Sequence, residues 1–250
     1  MKPEFASYPS LQGKNILITG GGSGIGAEMV RQFTKQNANV WFIDRNRTVS
    51  QSIEAETGAT FIELDLADTA ELTRVIELYV VQNNGFDVLI NNAARDDRHD
   101  WRSIDGDYWD ERFSTNLKHQ FFCIQAVAPG MIEKYGGSIV NIGSNSWWEA
   151  GAGFPAYATA KSGVHGLTRT MARELGEFNI RVNTIVPGWI MTDRQKELWV
   201  TKEALEKQLD RQCLGVEIEP IYVARMAVFL ASDDSSMCTA SNFMVDGGSI

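Results

Sequence analysis

Tyr157, Lys161 and Ser144 are the residues whose types and spacing best suit chemistry in this chain. If Tyr157 and Lys161 lie on one helix, their spacing of four places the phenol and the ammonium on the same face. A free phenol titrates near pH ~10 and is a poor base at neutral pH, but a nearby cation lowers its pKa. The pair therefore predicts a group that moves a proton. A Tyr-x-x-x-Lys pattern alone is common on protein surfaces, so the prediction needs support from the rest of the chain.

A glycine-rich run at residues 19–26, with the sequence TGGGSGIG, predicts a nucleotide-binding loop. Residues 15–19 are typical of a buried strand, and residues 25–36 carry apolar positions at helical spacing. Backbone amides between a strand and a helix approach a pyrophosphate, and the helix dipole favours its negative charge. Because any tight turn can use glycine, the run is weak evidence by itself. The residues expected at the nucleotide are Gly20, Ser23, Gly24, Ile25 and Gly26.

Asp44 ends the next predicted strand and bears on the choice of nucleotide. A carboxylate about twenty residues after the glycine loop accepts hydrogen bonds from ribose hydroxyls and repels a 2′-phosphate, which favours NAD. Arg45 and Arg47 follow directly, and a guanidinium there could bind the 2′-phosphate of NADP. The alternative for both arginines is solvated surface charge. We therefore expect NAD and leave NADP open.

Strands and helices alternate along the chain. This rhythm favours an α/β fold, a Rossmann-like doubly wound parallel sheet in a single domain over residues 1–250, with ligands at the carboxyl ends of the strands. Residues 189–214 depart from the rhythm and are either a lid over the pocket or a surface helical excursion, with an amphipathic stretch at 202–211. The predicted strands are 15–19, 39–44, 60–65, 87–91, 138–142, 181–186 and 242–246, and the predicted helices are 25–36, 49–56, 69–83, 107–134 and 156–177.

Composition limits the classes of function. With 23 basic and 32 acidic residues, the net charge of −9 leaves no electrostatic footprint for nucleic acid or an anionic membrane. Cys123, Cys213 and Cys238 follow neither zinc nor disulfide spacing, and His119 and His165 lack a ligand pattern, so we expect no metal. The first residues lack the apolar stretch of a signal peptide. These features predict a cytoplasmic protein with a small soluble ligand.

Several motifs together resemble the short-chain dehydrogenase/reductase family along nearly the whole chain. They are TGxxxGxG at 19–26, Asn91-Asn92-Ala93, Asn116, Ser144 and Tyr157-x-x-x-Lys161, and Ser144 stands thirteen positions before Tyr157, as in that family. One departure is Ala94, where the family usually has glycine. Stretches at 8–11, 96–99, 108–112, 125–131, 143–147 and 194–195 are similar to bacterial NAD-dependent sugar 1-dehydrogenases of the D-xylose type.

The resemblance implies hydride transfer from the anomeric carbon of an aldose to NAD, which gives a lactone. Tyr157 would be the general base, Ser144 would hold the same oxygen, Lys161 would lower the phenol's pKa and bind the nicotinamide ribose, and Asn116 would hold a water that relays protons. The preferred sugar stays open among D-xylose, D-galactose, L-arabinose and similar aldoses. A homotetramer is also implied. Further cofactor contacts are expected from Asp65, Leu66, Asn92, Pro187, Gly188, Ile190 and Thr192.

Sugars present hydroxyls for hydrogen bonds and C–H faces for aromatic rings. The expected substrate contacts are Ser144, Asn145, Trp147, Glu149, Tyr157 and Trp189. The tryptophans suit core or subunit packing equally well, and Glu149 suits a solvated loop. Residues 96–99, DDRH, either reach the pocket mouth or form a surface salt-bridge cluster.

Two other functions compete with the sugar dehydrogenase. One is a dehydrogenase or reductase of another alcohol or carbonyl compound, such as a polyol or a 3-hydroxyacyl chain. The polar residues Asn145 and Glu149 argue against the apolar pocket that an acyl or steroid substrate needs. The other is a nucleotide-binding protein without turnover, which would not need the set of Ser144, Tyr157, Lys161 and Asn116.

Overall fold

A computed structural model describes residues 4–250 and shows a seven-stranded sheet in which every neighbouring pair of strands is parallel. The strand order is β3-β2-β1-β4-β5-β6-β7. This arrangement confirms the predicted single-domain, Rossmann-like α/β fold. The strands are β1 (Asn15–Thr19), β2 (Asn39–Asp44), β3 (Thr60–Glu63), β4 (Val88–Asn91), β5 (Gly137–Ile142), β6 (Ile180–Pro187) and β7 (Asn242–Val245).

Helices cover both faces of the sheet, and the alternation of side chains along β1 shows why two cores form. Ile16 and Ile18 pack with Phe33 on one face, whereas Leu17 packs with Leu72 on the other. The helices are α1 (Gly24–Thr34), α2 (Arg47–Thr57), α3 (Thr69–Gln82), α4 (Gly106–Phe113), α5 (His119–Glu133), α6 (Pro155–Leu175), α7 (Asp193–Leu198), α8 (Lys202–Arg211) and α9 (Pro220–Ala231). Within residues 4–250, none of the helices has the length and apolar character needed to cross a membrane.

Helix α9 was missing from the sequence prediction. Its sequence is apolar on nearly every side, so it lacks the amphipathic period that marks a surface helix. Val223, Ala227 and Val228 are fully buried in the core that contains α1. Arg225 interrupts the apolar run, and its guanidinium lies 5.3 Å from the ring centre of Phe5. The tertiary partner, rather than a local period, therefore defines this helix.

Residues 107–134, predicted as one helix, form α4, a π-helical stretch at Ser114–Lys118, and α5. The carboxyl ends of β1 and β4 lie side by side where the strand order reverses, and ligands of such sheets bind at that switch point. A cleft of about 850 Å³ opens there. Its walls come from the loops that follow β1, β2, β3, β4, β5 and β6.

Candidate active site

The loop between β1 and α1 can form only with glycine at several positions. Gly20 and Gly24 have φ angles of +68° and +54°, which favour glycine. A Cβ atom on Gly26 would lie 1.9 Å from the carbonyl oxygen of Gly20. The Asn92 side chain donates hydrogen bonds of 3.0 and 3.1 Å to the carbonyls of Thr19 and Gly20. The sequence therefore builds a tight backbone cradle at the start of α1, of the kind that suits a pyrophosphate.

Asp44 lies at the carboxyl end of β2 and lines the cleft. Its Oδ2 accepts a hydrogen bond of 3.0 Å from the Gly22 amide, and its Oδ1 accepts one of 2.9 Å from the Asn46 amide. The carboxylate is thus fixed beside the glycine loop. The remaining acceptor capacity of its oxygens can serve ribose hydroxyls.

Arg45 and Arg47, the two residues whose guanidinium groups could bind the 2′-phosphate of NADP, both have carboxylate partners. The guanidinium of Arg45 lies 3.9 Å from Oδ2 of Asp65, and Arg47 pairs with Glu63. All four side chains are more than 40% exposed, so these pairs are weak and screened by solvent. Only Arg45 of the two arginines lines the cleft.

The other expected cofactor residues also lie along the cleft, so a dinucleotide fits the residues present. Ser23 caps α1 without using its side chain for a capping hydrogen bond. A Cβ on Gly188 would lie 2.8 Å from the Cα of Asp246, so packing against the C-terminal turn also requires glycine there. Ala94, the departure from the family pattern, lines the cleft as well. The lining includes Gly20, Ser23, Ile25, Gly26, Asp44, Asp65, Leu66, Asn92, Pro187, Gly188, Ile190 and Thr192.

Tyr157 and Lys161 lie on α6, which Pro155 begins. The Nζ of Lys161 is 5.8 Å from the centre of the Tyr157 ring and donates a hydrogen bond of 2.6 Å to the carbonyl oxygen of Ile142. Lys161 is only 1% exposed. Burial lowers its pKa to about 7, although the charge of Asp96 opposes the shift. The lysine can therefore exchange a proton near neutral pH.

The pKa of Tyr157 lies above its ordinary value. Burial is the main cause, and the negative charge of Asp96 adds to it. Hydrogen bonding from Ser144 and the positive charge of Arg98 act in the opposite direction. The opposing groups are thus Ser144 and Arg98 rather than Lys161, the cation that the sequence analysis expected to lower this pKa. The groups of the protein alone leave the phenol protonated at neutral pH.

Ser144 lines the cleft together with Tyr157, whereas Asn116 is fully buried and is not among the lining residues. The buried Ser144 hydroxyl accepts a hydrogen bond of 3.1 Å from the Ser146 amide, which fixes it in the wall of the cleft. Asn116 lies in the π-helical stretch, a local distortion that is frequent at functional sites. Its Oδ1 accepts from the Arg95 amide at 2.8 Å, and its Nδ2 donates to the Arg112 carbonyl at 2.9 Å. The Asn116 side chain therefore ties the loop after β4 to α4.

Asn145 and Glu149 line the cleft and join three segments of the chain. The Asn145 amide donates to Glu149 Oε1 at 2.8 Å and to the Ser249 hydroxyl at 3.1 Å. Ser249 also donates to Glu149 at 3.0 Å, and Arg211 of α8 lies 3.4 Å from the same carboxylate. Trp189 lines the cleft too, and its indole donates to Gln195 Oε1 at 2.8 Å.

Comparisons with known proteins agree with this geometry. A family model described as enoyl-(acyl carrier protein) reductase, of the short-chain dehydrogenase type, matches residues 20–249. The chain is 45% identical over 245 residues to D-xylose 1-dehydrogenase of Caulobacter vibrioides, covering 97% of this chain and 98% of that protein. The chain belongs to the short-chain dehydrogenase/reductase family.

Two further relatives extend the comparison. A "Probable galactose dehydrogenase" of Rhizobium meliloti is 41% identical over 249 residues, with 97% of each chain covered. The structure of a short-chain type dehydrogenase/reductase from Mycobacterium ulcerans superposes with a TM-score of 0.91 at 27% identity, covering 96% of this chain and 90% of that one. The protein is therefore an oxidoreductase that acts on CH–OH groups of a small molecule and uses a nicotinamide dinucleotide.

The structure of this dehydrogenase does not bring Trp147, an expected sugar contact, into the cleft. Its ring stacks on Trp148 with centres 4.1 Å apart, and its indole donates to His165 Nε2 at 3.2 Å. The other nitrogen of His165 lies 2.9 Å from Asn242 Oδ1. Trp147 therefore packs the loop after β5 against α6 and β7, which was the alternative that the sequence left open.

The cleft is also lined by residues beyond the predicted site set, and two of them, Asp96 and Arg98, belong to the run that the sequence allowed to reach the pocket mouth. Asp96 accepts a hydrogen bond of 2.7 Å from Gln195, and Asp97 pairs with Arg95, Arg112 and Arg194. Both alternatives for residues 96–99 therefore hold. Asp96 and Arg98 line the cleft, and Asp97 forms an ion-pair cluster. The sequence pattern did not predict a role for α7, because Arg194 and Gln195 of this helix contact Asp96 and Asp97, which lie in the distant loop after β4. The newly placed lining residues are Asp96, Arg98, Arg194, Gln195 and Trp199.

Proposed function

We propose that this dehydrogenase oxidises an aldose at its anomeric carbon with NAD and releases a lactone. The observation that carries the proposal is the position of Tyr157, Ser144 and Lys161 in a cleft that also contains Asp44 and many polar side chains. The names of the two curated relatives, a D-xylose and a galactose dehydrogenase, support a sugar substrate.

The reaction needs one base and one hydride acceptor. Tyr157, as the phenolate, takes the proton of the anomeric hydroxyl while Ser144 donates a hydrogen bond to the same oxygen. Bound NAD supplies a cationic nicotinamide that accepts the hydride and lowers the pKa of the neighbouring phenol. The carbon–oxygen bond becomes the lactone carbonyl, and the proton on Tyr157 passes to Lys161 and then to solvent. Asn116 holds the water of this relay in our proposal.

The shape and charge of the cleft favour a sugar over an acyl chain. Asp96, Arg98, Asn145 and Glu149 all line it. Asp96, Asn145 and Glu149 have partners within the protein, but a long apolar chain would remove water from the two carboxylates and from the guanidinium of Arg98, which is costly. A polyhydroxyl ligand supplies both donors and acceptors. The family model's description as a reductase of carrier-bound acyl groups is therefore the weaker guide to the substrate.

We propose NAD as the cofactor. Asp44 has acceptor capacity for ribose hydroxyls, and a 2′-phosphate would meet its negative charge. The exposed ion pairs of Arg45 with Asp65 and of Arg47 with Glu63 are weak, so the proposal depends on Asp44. The cytoplasmic location, the homotetramer and the closure of residues 189–214 over the substrate stay predictions.

The test is the initial rate of reduced-nicotinamide formation with D-xylose, D-galactose, L-arabinose, polyols and 3-hydroxyacyl compounds, each with NAD and with NADP. We expect turnover of at least one aldose with NAD. Replacement of Tyr157 by Phe serves as the control for non-enzymatic reduction. Turnover of only a polyol or an acyl compound would leave the family in place and reject the aldose.

A further inference from the structure

Arg98 lies over aromatic rings near the phenol of Tyr157. Its guanidinium carbon is 4.0 Å from the centre of the Phe154 ring and 5.3 Å from that of Trp199. Phe154 in turn lies edge-on to Tyr157, with ring centres 5.9 Å apart. The guanidinium is therefore one aromatic ring beyond the base, within the same cleft. Stacking on Phe154 and Trp199 limits its orientation.

Arg98 has no hydrogen-bond acceptor or ion-pair partner among residues 4–250, unlike the arginines around it. Asp97 is taken by Arg95, Arg112 and Arg194, and Asp96 is held by Gln195. A guanidinium carries five N–H donors, and the Arg98 side chain is exposed at the cleft, where water serves these donors until a ligand replaces it. Partial burial lowers the pKa of Arg98, while the negative charges of Asp96 and Tyr157 act in the opposite direction. Nε1 of Trp199, by contrast, is buried without an acceptor. This end of the cleft therefore presents donors that a ligand can satisfy.

The segment that carries Arg98 is fixed from both sides. The His99 amide donates to the Gly153 carbonyl at 2.8 Å, and the His99 ring lies 2.9 Å from the hydroxyl of Tyr108. The Ala156 amide donates to Nε2 of His99 at 3.5 Å. These contacts tie the loop after β4 to the start of α6. The backbone beside Arg98 is thus held against the start of α6, the helix that carries Tyr157, before a ligand binds.

We propose that Arg98 determines sugar specificity by donating hydrogen bonds to hydroxyl oxygens on the side of the ring remote from the anomeric carbon. The inference rests on the proposed function and names a contact within it. The planar fork of a guanidinium matches two adjacent oxygens. The carboxylates of Asp96 and Glu149 line the same cleft and would repel an acidic sugar, so a neutral aldose is the favoured ligand.

The experiment compares Arg98→Met with wild type on an aldose that the enzyme oxidises and on its 3-deoxy and 4-deoxy analogues. Methionine keeps an unbranched stem over the rings and removes every donor. We expect kcat/KM for the parent sugar to fall by about 10- to 100-fold, the range for a hydrogen bond to a charged group. Removing the contacted hydroxyl should cost wild type a similar factor and cost Arg98→Met less than about 2-fold, since the contact is already gone.

Arg102→Met is the matched control. Arg102 lies on the same loop, stacks over Trp101 at 4.6 Å and pairs with Asp100, but does not line the cleft. It should behave as wild type with every sugar. Arg98→Lys provides a second variant, which keeps the charge and loses the fork, should Arg98→Met fail to give a folded protein.

Equal losses by Arg98→Met on the parent and on both deoxy sugars would overturn the inference, because a structural role predicts no dependence on the hydroxyl. A wild-type preference for a uronic acid that disappears in the variant would also overturn it, since Arg98 would then bind a carboxylate. A wild-type enzyme that oxidises aldoses but shows no such dependence refutes this inference alone. A wild-type enzyme that oxidises no aldose refutes the proposed function with it.

Discussion

We predict that cofactor choice in this dehydrogenase depends on Asp44 and on the pairing of Arg45, and substitution can separate the two. Asp44→Ala removes the acceptor for ribose hydroxyls. Hydrogen bonds to a charged group are worth about 1.5–3 kcal/mol, so kcat/KM with NAD should fall by about 10- to 100-fold. Removing the carboxylate also removes its repulsion of a 2′-phosphate, which solvent and salt weaken near the surface. We expect kcat/KM with NADP to rise by about 10-fold.

The further gain with NADP should be limited while Arg45 stays paired with Asp65. The two groups are 3.9 Å apart, with 53% and 59% of their side chains exposed, so their ion pair is worth about 0–1 kcal/mol. Adding Asp65→Asn to Asp44→Ala frees Arg45 and should raise kcat/KM with NADP further, by up to about 5-fold. Glu63→Gln is the matched control, because it removes the same charge but frees Arg47, which does not line the cleft.

The assay is kcat/KM for NAD and NADP at a saturating aldose for the single and double variants, with thermal melting to check the fold. Asp44 also accepts from the Gly22 and Asn46 amides, so a small loss of stability is expected. Unchanged kinetics with both nucleotides in Asp44→Ala would refute the assignment of this carboxylate to the ribose. An equal gain from Glu63→Gln and Asp65→Asn would refute the role of Arg45 and leave only a general effect of charge.

Three further predictions follow from the site and the core. The pKa of Tyr157 is raised and the base must be deprotonated, so kcat/KM for sugar oxidation should rise with pH. Ser144→Ala should move that rise to higher pH, because the hydrogen bond from Ser144 lowers the pKa of Tyr157. A value of kcat/KM that falls as pH rises would contradict the role of Tyr157 as the base. Gly26→Ala places a Cβ 1.9 Å from the Gly20 carbonyl and should abolish NAD binding measured by calorimetry, whereas Gly166→Ala, which has no neighbour within 4 Å, should bind normally. Burial lowers the pKa of His119 to about 3 from 6.5, so the unfolded chain binds more protons between these pH values, and stability should fall as pH drops below 6.5. His119→Gln should reduce that slope in urea unfolding by up to about 1.4 kcal/mol per pH unit, and an unchanged slope would contradict a buried neutral imidazole.

The parts of this molecule that follow a local rule could be predicted from the sequence. The limits of β1 and β2 and the shared face of Tyr157 and Lys161 depend on short-range periods, and the structure has them where the sequence placed them. The glycine loop likewise follows from backbone conformations that other residues rarely adopt.

Features that depend on distant partners could not be predicted. Helix α9 has no amphipathic period because it is buried against α1 in the core. The indole of Trp147 donates a hydrogen bond to His165 and does not line the cleft. The pairing of Asp96 with Gln195 joins residues 99 positions apart in the sequence. A spacing rule contains no information on such a contact, and the raised pKa of Tyr157 depends on the same long-range arrangement.

The fate of the hydrogen on the anomeric carbon tests the proposed sugar oxidation most directly. An aldose deuterated at C1 is oxidised with NAD, and both products are analysed by mass spectrometry. We expect one deuterium in the reduced nicotinamide, none in the lactone, and a slower rate than with the unlabelled sugar if hydride transfer limits turnover. Deuterium retained in the sugar product would show oxidation at another carbon and would contradict the proposed reaction.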